Sequence, residues 1–97
     1  MKTVRKQRIP RQPTMHIVLA PVVSDSAQLR WVVVTAGLKT IGEPDEGADE
    51  VLQRFKHLTN RDDGLRDNDR LERISEPVSE SELVNIITRL KRKQLKG

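Results

Sequence analysis

The sequence predicts a small α+β domain, a β-hairpin packed with two helices in the order ββα(β)α. Two stretches dense in Ile, Val and Leu, residues 16–23 and 29–38, are separated by the polar residues Ser24, Asp25 and Ser26. Two further segments carry apolar residues at helical spacing, and the second of these opens with a capping box. A chain of 97 residues has room for one core and no more.

The first strand contains Pro21, which has no N–H to give to a ladder, so this strand is expected at a sheet edge or bulged there. Ser24, Asp25, Ser26 and Ala27 supply the turn of a hairpin. In the second strand Leu29, Trp31 and Val33 alternate with Arg30, Val32 and Val34. Both faces are mainly apolar, which implies a strand covered on both sides.

Gly42, Glu43, Pro44 and Asp45 close the strand region and open a helix with Ala48, Val51, Leu52, Phe55 and Leu58 on its apolar face. Asn60 is its expected stop. Residues 61–73 read RDDGLRDNDRLER, rich in both charges, and are expected to be mostly an exposed loop. Residues 71–75 are read as a third short strand in preference to a helical turn. At the second helix the Ser79 hydroxyl can accept from the Glu82 N–H while the Glu82 carboxylate reaches back, with Val78 and Leu83 at staple positions. Leu83, Val84, Ile86, Ile87 and Leu90 then form its apolar face. Residues 1–14 carry two prolines and few apolar groups, and are read as a basic flexible arm ahead of a single domain over residues 15–97.

Charge is segregated along the chain. The net charge is +4, yet residues 1–12 and 89–97 hold ten cations and no acid, which leaves residues 13–88 at −6. The basicity therefore belongs to the ends. Lys2, Arg5, Lys6, Arg8 and Arg11 at one end, and Arg89, Lys91, Arg92, Lys93 and Lys96 at the other, are candidate contacts to phosphates. Cations in the last turns of a helix also complement its dipole, but that does not account for a second cluster of the same sign at the other end.

Several function classes are disfavoured. Without Cys there are no disulfides, thiolate nucleophiles or Cys-based metal sites, and the residue usage leans towards a cytoplasmic protein. The longest apolar run, residues 17–23, is far short of a membrane span. An Arg-rich, acid-free start also fits an organelle transit peptide, but Pro10 and Pro13 interrupt the amphipathic helix such a segment needs. His16 and His57 stand without other residues at metal-ligand spacing, and the acids Asp62, Asp63, Asp67, Asp69 and Glu72 lack the order of a calcium loop, so no metal or cofactor is expected. Trp31 and Phe55 fall at core positions, which leaves no stacking platform for single-stranded nucleic acid. No nucleophile elbow, glycine-rich phosphate loop or nucleophile–base pair is present, and binding is expected rather than catalysis.

Two binding readings remain, with a third compatible with both. In the first, the basic ends grip the backbone of a nucleic acid. In the second, an adaptor or inhibitor docks a larger protein complex through an exposed sheet edge or an acidic face, with Glu43, Asp45, Glu46, Asp49, Glu50, Arg66 and Arg70 at the interface. The third is homodimerisation, which offers a short sheet additional burial.

Overall fold

A computed structural model describes residues 14–96, with side chains through Lys93. Residues 1–13, and with them most of the basic arm, lie outside the described residues. The elements in order are β1 (His16–Val23), β2 (Leu29–Val34), β3 (Lys39–Ile41), α1 (Ala48–Leu58), β4 (Arg70–Arg73), β5 (Val78–Ser79) and α2 (Glu80–Lys96). They form an α+β domain in which a mixed sheet is covered by one helix on each face.

β1 and β2 make the expected hairpin, with Val18 opposite Val34 and Val23 opposite Leu29. Its turn is closed by Ser24 N–H donating to the Gln28 carbonyl at 2.9 Å and Ala27 N–H donating to the Ser24 carbonyl at 2.9 Å. Ala27 sits at φ 65°, the left-handed position that a three-residue hairpin loop requires and that glycine fills most readily. Ala27→Gly is therefore expected to stabilise the fold, by a few tenths to about 1 kcal/mol, because relief of left-handed strain outweighs glycine's larger unfolded-state entropy. A higher urea midpoint at unchanged slope would register it.

The stretch read as one strand over residues 29–38 is a strand only to Val34, followed by a turn, and the next strand begins at Lys39. Thr35 folds the chain back: its hydroxyl accepts from the N–H groups of Gly37 at 3.2 Å and Leu38 at 3.1 Å. β3 then returns antiparallel along β2. The sheet order is β3-β2-β1-β4, with β5 also on β1.

β1 is thus central, contrary to the expectation from Pro21. β4 and β5 both run parallel to β1 on the side away from β2, β4 reaching Leu19 and β5 starting at Val22. They act as one interrupted edge strand. Met15 and Leu19 accept from Arg70 and Ile74 on this side, so alternation points the Pro21 nitrogen the same way, into the gap between β4 and β5. No donor is needed there, and the proline is tolerated in the middle of the sheet.

Each face of the sheet has its own core. Ile17, Leu19 and Val33 pack with Val51, Leu52 and Phe55 of α1, joined by the half-buried Trp31, Leu65 and Leu71. Val18, Val22, Val32 and Val34 pack with Leu83 and Leu90 of α2, joined by Ile74, Val78, Ile86 and Ile87. Leu58 and Val84, assigned to apolar helix faces by spacing, are each 60% exposed.

The helix ends follow the local signals. Asn60, at φ 60°, ends α1, with Arg61 N–H donating to the Lys56 carbonyl and Asn60 N–H to the His57 carbonyl in the Schellman pattern. At α2 both arms of the capping box are made, Ser79 N–H to Glu82 Oε1 at 3.0 Å and Glu82 N–H to Ser79 Oγ at 3.1 Å.

The connection from α1 to β4 departs from the exposed loop expected of it. The Arg61 and Asp69 side chains are 7% and 1% exposed and form a bidentate pair, Nε to Oδ2 at 2.6 Å and Nη2 to Oδ1 at 3.1 Å. Arg61 also donates to the Thr59 carbonyl at 2.8 Å, and Asp69 accepts the Arg66 N–H at 2.7 Å. The loop is folded around this pair, while Asp62, Asp63 and Asp67 face solvent.

Candidate functional site

Helix direction decides where the charges go. β5 leaves the sheet beside Val22 and Val23, and α2 starts at the next residue. Leu90, ten residues on, is buried in the same cluster as Val18, Val34 and Ala36, so α2 must fold back over the sheet towards the end where β1 begins. The chain also enters the fold at that end, through Thr14 and Met15. Residues 1–13 are consequently joined to the same end of the domain as the last turns of α2. α1 runs the same way, since Gly42 bonds the Trp31 carbonyl before it and Arg70 bonds the Met15 carbonyl after it.

Parallel helices put both N-termini at one end of the sheet and both C-termini at the other. The acids before and within the first turns face the positive ends of two aligned dipoles, and the α2 cations follow its negative end. Arg89, Lys91, Arg92 and Lys93 are all exposed, and positions 89, 92 and 93 share one helix face. None of these four forms an ion pair among the described residues. Like charges spaced in this way cost a helix about 0.2–0.5 kcal/mol per pair, which dipole complementarity alone does not require. Lys96 lies in α2 with its side chain outside the described residues, and Lys2, Arg5, Lys6, Arg8 and Arg11 lie wholly outside them.

Three cations of the body do form ion pairs. Arg54 pairs with Glu46 and also donates to the Ile41 carbonyl at 3.2 Å, Arg61 pairs with Asp69, and Arg73 stands 4.0 Å from Asp49. Arg66 and Arg70 are exposed near the β1 start, beside the acids of the 61–69 loop.

The acidic set divides. Glu46 accepts the Glu43 N–H at 2.7 Å and Glu50 accepts the Gly47 N–H at 2.7 Å, so both carboxylates fasten the approach to α1. The Glu43 N–H bond, followed by Arg54, holds the Glu46 carboxyl below its ordinary range. Glu43, Asp45 and Asp49 are exposed and form an acidic surface, with Asp49 almost wholly in solvent in a loose 4.0 Å pair with Arg73. Arg66 and Arg70 lie at the opposite end of the sheet, so the residues grouped by sequence as one protein interface are not brought together.

Neither histidine approaches a ligand cluster. His16 Nε2 is 3.6 Å from Glu72, His57 Nδ1 is 3.2 Å from Asp62, and no group of three or more His, Asp or Glu side chains converges among the described residues. On the α2 face, Val22, Val32 and Ile41 floor a groove walled by Leu83, Val84 and Ile87. No helix among the described residues is long and apolar enough to cross a membrane.

Set against protein-family models, curated proteins and solved structures, the chain matches none of them.

Sequence reasoning located the α2 cations but missed that the last turns of α2 lie at the end of the sheet where the described chain begins, at Thr14 and Met15. That follows from the direction of α2, which β5 sets, and a two-residue strand carries almost no local signal.

Proposed function

We propose that this protein is a non-enzymatic nucleic-acid-associated accessory protein that grips the phosphate backbone with the basic end of its fold. The observation carrying this reading is the exposed set Arg89, Lys91, Arg92 and Lys93, without an ion-pair partner among the described residues, at the end of the sheet where the described chain begins. The four exposed α2 cations stand at that end, and the sequence carries five more in residues 1–12, a number of like charges that favours a polyanion. With Phe55 buried and Trp31 half-buried, contact is through charge rather than base stacking.

The test is binding to a duplex over a salt series. If the four helix cations each neutralise a phosphate, log K falls with log salt with a slope of at least about −3.6. Replacing Arg89, Lys91, Arg92 and Lys93 together by Gln should remove most of that slope while leaving the fold intact, because none is buried. No binding at low salt, or binding unchanged in the variant, would overturn the reading.

One observation favours a second reading, an adaptor that docks a larger protein complex: Glu43, Asp45 and Asp49 are exposed at the start of α1 without caps to make. Charge reversal at these three positions that abolishes function, with the Gln variant active, would select it.

A further inference from the structure

The two faces of the sheet are not covered equally. α1 spans β1, β2 and β3, whereas α2 runs closest to β1 and β5, so the β2–β3 half of the α2 face has no helix seated over it among the described residues. There Val32 and Ile41 floor a groove of about 310 Å³ that is walled by Val84 and Ile87. Ile41 is 46% exposed and Val84 60%, an apolar strip left open along the groove.

The width of the uncovered strip matches one helix. Strands lie about 4.8 Å apart, so a helix axis above β3 would stand about 10 Å from α2 above β1, the spacing at which helices pack. A helix laid there with apolar residues at i, i+3 or i+4, and i+7 covers Ile41 and Val84 together.

The charges at the rim set the sign of the partner. Lys39 stands opposite Val34, and Arg30 shares the Val32 and Val34 face, so both border the groove. Neither forms an ion pair among the described residues; Arg30 donates to the neutral Gln28 at 3.3 Å. Lys91 follows Ile87 by four residues and Val84 by seven, so it continues the same wall towards the end where Lys39 stands. Glu80, the only acid among the groove's described lining residues, opens α2 at the other end, with Arg30. The Lys39 end is therefore cationic and without a counter-charge.

We infer that this groove takes an amphipathic helix of another protein, with its apolar face on Ile41 and Val84 and its carboxylates at the end beside Lys39 and Lys91. Residues 1–13 of the chain itself carry five cations and no acid, the wrong sign for that end. The inference does not rest on the duplex reading, which uses neither Lys39 nor Val84.

Selection of displayed random peptides, about 14 residues long and so close to four helical turns, against the full chain tests it. Enriched sequences should share apolar residues at helical spacing with Asp or Glu at one end, and an enriched peptide should shift the amide resonances of Ile41 and Val84. Lys39→Glu should weaken that peptide at least about fivefold, and exchanging the peptide's carboxylates for Lys should restore binding to the variant. Val84→Asp should abolish binding; both positions are exposed, and an unchanged circular dichroism spectrum checks the fold. No enrichment, enrichment without acids, or wild-type affinity in Lys39→Glu would overturn the inference. So would a different occupant: a dimer in sedimentation equilibrium that Val84→Asp breaks, or decanoate bound at Ile41 where no peptide binds.

Discussion

Asp69→Ala is expected to destabilise the fold by about 3–5 kcal/mol, because it strands the Arg61 guanidinium, itself 7% exposed, without its carboxylate. Domains of this length are stable by roughly 5–15 kcal/mol, so the variant stands near the edge of unfolding. The loss exceeds one interaction: Asp69 also accepts the Arg66 N–H at 2.7 Å, and the chain enters β4 at the next residue. Chemical denaturation measures the difference. A double variant, Arg61→Met with Asp69→Leu, should cost less than Asp69→Ala alone, since replacing a buried pair by apolar groups removes the stranded charge. If the double variant is the less stable of the two, the pair stabilises by net attraction rather than by mutual satisfaction.

The same pair sets an acid limit. The Arg61 hydrogen bonds hold the Asp69 carboxyl below its ordinary range, with burial acting in the opposite direction. Its folded-state pKa lies below the unfolded value near 4, so the stabilisation is complete above about pH 4 and is lost as pH falls through the folded pKa. Unfolding followed against pH should show wild type losing stability below about pH 4, and Asp69→Asn losing less over the same interval. Glu46, whose carboxyl is held low by the Glu43 N–H, is titrated in the same direction and loosens the start of α1.

What could be read from sequence was what is encoded within about four residues. The capping box at Ser79 and Glu82 and the left-handed stop at Asn60 are local devices, and both form as expected. The two-faced apolar alternation of β2 correctly implied cover on both sides, supplied by α1 and α2. Pro21 misled because its acceptability depends on a gap between β4 and β5, strands that come about fifty residues later in the chain. The buried Arg61–Asp69 pair was hidden in a run of nine charges over residues 61–73, where nothing local distinguishes a carboxylate that will be enclosed from one that faces water. For the candidate site, the cations were visible, but which end of the sheet the α2 cations occupy was not. That depended on which way a helix folds back over a sheet, which is a tertiary fact.

Gly42→Ala is the second large effect, a loss of about 1–3 kcal/mol, and its cause differs from the turn role that sequence assigned to this glycine. A Cβ at residue 42 would lie 2.5 Å from Val51 Cγ2 and 2.9 Å from the Trp31 carbonyl oxygen. The valine is fully buried in the α1 core, and the carbonyl is fixed because it accepts the Gly42 N–H at 2.8 Å. One obstacle would have to move into packed side chains and the other would break the bond that ties the end of β3 to β2. Glycine is needed here for close approach of helix and sheet, and larger residues at this position should be worse in order of size. The contrast with Gly37, where a Cβ would meet nothing within 4 Å, supplies the control. Gly37→Ala should leave the unfolding free energy, from urea denaturation, within about 0.5 kcal/mol of wild type. Gly42→Ala, rescued in part by Val51→Ala, would show that the clash with α1 rather than the backbone turn sets the cost. No rescue would instead assign the cost to the Trp31 carbonyl and the pairing of β3 with β2.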